Sequence, residues 1–78
     1  MSVIKYPVRI EPDATGRYLG TCRDVPEALT DGSDRSEAKA EMADALMVAL
    51  EGYRLDGRPL PAATRPEPGE TLIRVESR

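Results

Sequence analysis

The sequence predicts an α+β fold with the order β-β-β-α-β, in which one helix packs on one face of a mainly antiparallel sheet. Three observations predict it. One long segment repeats its apolar residues with a helical period, shorter segments alternate apolar and polar residues, and turn-forming residues separate them. With 78 residues, the chain is expected to form a single domain over residues 1–78. The last strand follows a helical crossover, so a parallel neighbour is also possible for it.

The helix is predicted over residues 34–55. Its expected buried face is made of residues three or four positions apart, namely Ala38, Met42, Ala45, Leu46, Ala49 and Tyr53. Asp34 is a natural N-cap, and Glu37 can reach back to the Asp34 amide in a capping box. Gly57 is expected to end the helix, because glycine adopts the left-handed conformation without a Cβ penalty.

Four strands are predicted around this helix, at residues 3–11, 17–22, 27–31 and 70–76. In the first strand the buried face is Ile4, Tyr6, Val8 and Ile10. Pro7 has no amide hydrogen, so it favours an edge strand or a position facing away from the ladder. In the second strand, the small residues Gly20 and Cys22 would let the helix approach the sheet closely. The last strand is expected to turn Ile73 and Val75 to one face.

Composition excludes several classes of function. The chain has 14 acidic and 11 basic residues, a net charge of −3, no histidine and one cysteine. This balance disfavours non-specific nucleic-acid binding and favours a basic protein partner. The absence of histidine removes the commonest general acid/base and the commonest metal ligand, and with one cysteine we expect no zinc or iron–sulfur site. We also expect no cofactor. Cys22 is expected to be a small core residue in a reducing cytoplasm, and no apolar run reaches the ~18 residues of a membrane span.

Residues 18–32, together with Lys5-Tyr6-Pro7-Val8 and Ser36-Glu37-Ala38, form a more specific pattern. It resembles the N-terminal domain of HicB-type antitoxins, which has Tyr-Pro-Val in strand one, Gly-Gly-Tyr opening strand two, Asp-(Ile/Leu)-Pro in the next turn, Thr-x-Gly-(Asp/Glu)-Thr, Glu-Ala at the helix start and an Ile-Pro-x-Pro loop. The matching residues are Tyr6, Pro7, Val8, Tyr18, Asp24, Pro26, Glu27, Ala28, Thr30, Gly32, Glu37 and Ala38. Leu60-Pro61 fits the loop loosely. Cys22 and Arg23 depart from usually apolar positions, and Gly20 replaces a β-branched residue.

The resemblance implies a partly degraded RNase H-like fold without catalytic residues. Its implied role is that of an antitoxin in a type II toxin-antitoxin system, which binds and occludes a HicA-type mRNA-cleaving toxin. Family members usually continue into a DNA-binding domain, whereas this sequence stops at Arg78. We therefore expect no C-terminal DNA-binding domain and no specific DNA binding by this chain alone.

Two other functions stay open. The first is a solitary protein-interaction or ligand-binding module of the same fold without a toxin partner. The second, ranked third overall, is a residual metal nuclease. In each case the small core also favours a homo-oligomer, formed through a sheet edge or the back of the helix.

Two acidic sets are the candidate toxin-binding residues. On the helix, one flank carries Glu37, Glu41, Asp44 and Glu51, with Val48 in the same row and Met47 facing outward beside it. Around the third strand stand Asp24, Glu27, Asp31 and Asp34. An ordinary solvated face is the more common explanation of a charge run like the first set, and turn and N-cap chemistry explains part of the second. We slightly favour the helix flank. The predicted partner-binding residues are Asp24, Glu27, Asp31, Glu41, Asp44, Met47, Val48 and Glu51.

Overall fold

A four-stranded sheet covered on one face by a single helix makes up the protein in a computed structural model, which describes residues 2–77. The elements in chain order are β1 (Ser2–Pro12), β2 (Tyr18–Cys22), β3 (Leu29–Gly32), α1 (Arg35–Leu55) and β4 (Glu70–Ser77). This order confirms the α+β prediction. The third strand begins two residues later than predicted, because the chain turns there with a hydrogen bond from the Ala28 N–H to the Val25 carbonyl (3.0 Å).

The strands lie in the order β3-β2-β1-β4, and every neighbouring pair is antiparallel. β4 pairs with β1 from Arg9–Glu70 to Ser2–Ser77, which decides against the parallel alternative. β2 pairs only with the second half of β1, from Val8 to Pro12. The sheet is therefore staggered, with β2 and β3 beside one half of β1 and β4 beside the other.

Pro7 lies in an inner strand, which excludes the first of its two predicted positions, an edge strand, and leaves the second, a position facing away from the ladder. The ladder to β2 begins at Val8, and Pro7 falls just beyond it, opposite Leu72 of β4. Because Pro7 has no N–H group, this pair fits a non-hydrogen-bonded position of the β1–β4 ladder. The alternation of the ladder then points the peptide groups of Leu72, Arg74 and Glu76 to the open edge of β4.

The start of α1 is capped from both directions. The Asp34 carboxylate accepts a hydrogen bond from the Glu37 N–H (2.8 Å). The Glu37 carboxylate reaches one residue further back than predicted, where it accepts from the amide (3.0 Å) and hydroxyl (3.1 Å) of Ser33. The first contact satisfies a donor that the first helical turn leaves without an intrahelical partner, and the second ties the residue before the N-cap to the helix.

The end of α1 is a Schellman motif. Gly57 has φ of 70° and donates its N–H to the Arg54 carbonyl (3.1 Å). The next amide, of Arg58, donates to the Tyr53 carbonyl (2.9 Å). The predicted role of Gly57 is thereby confirmed.

The core lies between α1 and the inner face of the sheet. The helix buries residues at steps of four, which are Ala38, Met42, Leu46 and Leu50, with Ala45, Ala49 and Tyr53 half-buried beside them. Leu50 was missing from the predicted face. The sheet contributes Tyr6, Val8, Ile10, Cys22 and Val75. A Cβ at Gly20 would come within 3.3 Å of Met42 Sδ, which confirms the close approach. Among the described residues, no helix has the length and apolarity needed to cross a membrane.

Candidate partner-binding surfaces

The connection between α1 and β4 is fixed to the sheet by Arg23. Its guanidinium binds both carboxylate oxygens of Glu70, with Nε–Oε2 at 2.9 Å and Nη2–Oε1 at 2.8 Å. It also donates to Thr64 Oγ1 (3.1 Å) and to the Arg65 carbonyl (2.9 Å). The resemblance in the sequence predicts an apolar residue at position 23, and these contacts explain the departure, because they tie Arg23 to residues more than 40 positions away.

Glu70 is an internal carboxylate at the first residue of β4. Its side chain is only 1% exposed. The hydrogen bonds from Arg23 and then from the Glu67 amide (2.7 Å) lower the pKa of Glu70 to about 2. Because donors from Arg23 and Glu67 stabilise its charged form, we assign Glu70 a role in holding the fold together.

The strand-three carboxylates are also engaged within the chain. Asp24 accepts hydrogen bonds from the amide (2.9 Å) and hydroxyl (3.0 Å) of Thr64. Glu27 accepts from the Tyr53 hydroxyl (2.8 Å), and its pKa is lowered by the hydrogen bond from its own backbone amide and then by that from Tyr53.

Asp31 forms an ion pair with Arg17 at 2.8 Å, and Asp34 is the N-cap of α1. The four acidic residues predicted around strand three therefore have four different partners. Within residues 2–77 there is no group of three or more acidic, histidine or cysteine side chains that could hold a metal ion. Each of these four carboxylates thus has a structural contact within the chain, so turn, cap and hydrogen-bond chemistry accounts for all of them.

The helix flank is different. Glu41 and Asp44 are exposed, and neither has a hydrogen-bond or ion-pair partner anywhere in the part of the chain that the structure describes. Val48 follows them on the same flank and is 74% exposed. We call Glu41, Asp44 and Val48 the outer row. Met47 lies beside it and is 49% exposed.

The other two members of the predicted flank are held by local contacts. Glu37 caps the helix start through Ser33. Glu51 pairs with Arg54 one turn later, with Oε2–Nε at 3.1 Å. Of the acidic residues predicted on this flank, Glu41 and Asp44 of the outer row are therefore the two without such contacts among the described residues.

An open groove of about 560 Å³ lies between the second half of α1 and the end of β4. Its apolar wall contains Met47, Val48, Leu50 and Leu55, and its charged residues include Arg54 and Glu76. Sequence reasoning found Met47 and Val48 but missed Leu50, Leu55 and the strand residue. Leu55 is 75% exposed one residue before the helix C-cap, and this position was the available signal.

Most of the chain matches a known protein family. Residues 5–76 match the family described as "HicB_like antitoxin of bacterial toxin-antitoxin system". The chain belongs to the HicB-like antitoxin family. This result confirms the resemblance seen in the sequence motifs.

Curated HicB proteins are similar to this chain. Antitoxin HicB 2 of Photorhabdus laumondii is 42% identical over 72 residues, which cover 92% of this chain and 50% of that protein. Antitoxin HicB of Escherichia coli K12 is 38% identical over 58 residues, which cover 74% of this chain and 42% of that protein. The chain thus spans half or less of the length of these relatives.

The fold has a counterpart among solved structures. The crystal structure of the N-terminal domain of Burkholderia pseudomallei antitoxin HicB superposes with a TM-score of 0.70, covering 96% of this chain and 99% of that one. At 15% identity, the likeness establishes the HicB N-terminal fold.

Proposed function

We propose that this chain is the toxin-binding domain of an antitoxin, and that it neutralises a HicA-type mRNA-cleaving toxin by occlusion, without catalysis. Membership of the HicB-like family supports a toxin partner. The single observation that carries the docking surface is the outer row, where two carboxylates without internal partners lie beside exposed apolar side chains. A cytoplasmic location follows from the proposed target, because mRNA is cleaved there.

Charge complementarity explains how the outer row would recognise such a toxin. A nuclease that grips RNA must present cationic side chains to phosphate groups. The carboxylates of Glu41 and Asp44 can occupy the same cationic surface and so exclude the RNA. Matching charges mainly accelerate the encounter and fix its orientation, while apolar residues at the centre hold the complex. Val48 and Met47 are the apolar residues in position to do this.

The outer row is preferred to the strand-three set because of the contacts that each set would have to give up. Asp24, Glu27 and Asp31 already accept hydrogen bonds within the chain. A toxin cation would have to compete with those donors. Glu41 and Asp44 face no such competition, so all of their interaction with a cation is available for binding.

The test is a double charge reversal, Glu41→Lys with Asp44→Lys, in the purified domain. We expect association with a HicA-type toxin to slow by tenfold or more, with a weaker dependence on salt, since steering by opposite charges is lost. The matched control is Glu11→Lys with Glu67→Lys, which makes the same change in net charge at exposed positions away from the outer row. Stopped-flow association kinetics at several salt concentrations measure the effect.

Two results would contradict the proposal at different levels. If the outer-row variant binds like the parent while Asp24→Asn with Glu27→Gln loses binding and stays folded, the docking surface is the strand-three side. If the parent domain binds no HicA-type protein at all, the chain is better described as a solitary interaction module. A gel-shift assay with the promoter fragment checks the remaining expectation, that this chain alone does not bind operator DNA.

A further inference from the structure

The free edge of β4 is the longest unpaired backbone surface of the sheet. β4 is eight residues long, contains no proline or glycine, and lies at the end of the strand order. The opposite edge, β3, has only four residues. Among the described residues, no loop donates or accepts a backbone hydrogen bond along β4 after Glu70. A long, regular and uncovered edge is a template for pairing with another strand.

The outward face of this edge carries an unfavourable charge pair. In the β1–β4 ladder Lys5 stands directly opposite Arg74. Like charges at directly opposite positions destabilise a sheet. Arg74 has a loose ion pair with Glu76 of its own strand, with Nη2–Oε1 at 3.7 Å and both side chains more than 60% exposed. An additional carboxylate at the open edge would relieve the repulsion.

We propose that the open edge of β4 binds the β4 strand of a second copy of this chain. The two strands run antiparallel about a two-fold axis at Val75. In this register Arg74 stands opposite the partner's Glu76, and the symmetry repeats the pair on the other side of the axis. Each Lys5–Arg74 pair thereby gains a carboxylate. The peptide groups of Arg74 and Glu76 point to the open edge, as the position of Pro7 requires, so they are available for the new ladder.

The groove beside α1 also supports a two-fold axis at Val75. Among the described residues that line it, Glu76 is the one from a strand, so an axis at Val75 brings the grooves of the two copies together. The exposed side chain of Leu55 would then lose water on the helix side of the joined sheet, which adds apolar burial to the backbone pairing. The product is a continuous eight-stranded sheet with both helices on one face.

Other registers are less favourable. An axis at Arg74 would oppose Arg74 to the partner's Arg74. An axis at Ile73 would oppose Glu70 to the partner's Glu76. An axis at Leu72 would offer Arg74 the partner's Glu70, a carboxylate already bound by Arg23. Of these registers, only the axis at Val75 sets Arg74 opposite a carboxylate whose one contact among the described residues is the exposed 3.7 Å pair with Arg74 of its own chain.

Charge exchange tests this register, with dimerisation followed by sedimentation velocity across a concentration series. Arg74→Glu and Glu76→Arg should each weaken the dimer by about tenfold or more, because two attractive pairs become repulsive. A mixture of the two variants should form a heterodimer as strong as the parent dimer, and the double variant should dimerise with itself. Arg65→Glu is the matched control at an exposed position off the edge, and it should leave the dimer unchanged.

A loss of dimerisation in these variants can be told apart from a loss of folding. Arg74→Glu places an acidic side chain opposite Lys5, so at concentrations where the parent is also monomeric the variant should melt no lower than the parent. A parent chain that stays monomeric at all concentrations would overturn the proposal, as would a variant mixture that does not reassociate. A monomeric parent whose toxin affinity falls with Arg74→Glu would show that the edge receives a strand of the toxin instead. The outer-row kinetics are measured independently, so a failure here leaves the proposed toxin docking intact.

Discussion

Acidic side chains have opposite roles on the two sides of this molecule. On the side of the α1–β4 connection, Asp24, Glu27 and Glu70 all accept hydrogen bonds from groups distant in sequence. In the outer row, Glu41 and Asp44 accept none from the described residues. Asp24 and Glu70 fix the proline-rich connection to the sheet, and Glu27 contacts the end of α1 through Tyr53. We therefore use the contacts of a carboxylate, rather than its presence in an acidic run, to propose which ones serve the fold and which ones bind a partner.

The largest expected difference between the two sides comes from Glu70→Gln. The substitution removes the charge that holds Arg23 and that accepts from the Glu67 amide in a site where the side chain is almost fully buried. The amide keeps one acceptor oxygen but loses the charge-assisted pairing with Arg23, and it turns a donor towards other donors where little water can reach. We therefore expect Tm to fall by several degrees. Thermal unfolding followed by circular dichroism measures this. The same substitution at Glu41 is the control, and a comparable fall there would remove the distinction.

Low pH should destabilise the protein through Glu70, on the side of the α1–β4 connection. The folded pKa of Glu70 is about 2, below its ordinary value of 4.5. A lowered folded pKa means that Glu70 contributes full stability above pH 4.5 and loses this contribution as the pH falls towards 2. Urea unfolding of the parent should therefore become easier across this window. The Glu70→Gln variant should lose less stability over the same range, and an identical pH dependence for the two proteins would contradict the role given to Glu70.

Asp24→Asn should have a smaller effect. The amide side chain keeps one acceptor oxygen for Thr64 but loses the charge, so one of the two hydrogen bonds is weakened or lost. We expect a loss of about 1–2 kcal/mol in the free energy of unfolding, together with faster hydrogen exchange at the Thr64 amide. Asp44→Asn is the matched substitution on the outer row. The comparison fails if both variants unfold at the same urea concentration.

The elements of the fold were predictable because their signals are local. Helical spacing, the Asp34 cap and Gly57 located α1 to within one residue, and alternation located β1 and β4. The family motif also supplied Gly32, and the structure gives its physical reason. A Cβ there would lie 2.5 Å from the Ala38 amide nitrogen, too close for any side chain.

The internal partners of the carboxylates were not predictable from the sequence. Arg23 and Glu70 are 47 positions apart, and Asp24 and Thr64 are 40 apart, with no periodicity to connect them. Glu41 and Asp44 were predicted to be exposed, and that was correct. Nothing in the sequence indicated that the carboxylates around strand three would accept hydrogen bonds within the chain. Such pairing depends on how the proline-rich connection folds back on the sheet.

Glu41→Gln should give the smallest change in the free energy of unfolding, and the sign of that change is informative. On α1, Glu41 is four residues after Glu37 and three before Asp44, so it has two acidic neighbours on the same flank and no cationic partner among the described residues. Like charges at these spacings cost roughly 0.2–0.5 kcal/mol per pair. Glu41→Gln should therefore raise the free energy of unfolding, by about 0.5 kcal/mol at low salt, and the gain should shrink as salt screens the repulsion. Chemical denaturation at two salt concentrations, with Glu11→Gln as the exposed strand control, can resolve this difference. A destabilised variant would mean that Glu41 has an internal role like those of Asp24 and Glu70. A stabilised variant with slower toxin association would mean that the outer row retains its charge for binding at a cost in stability.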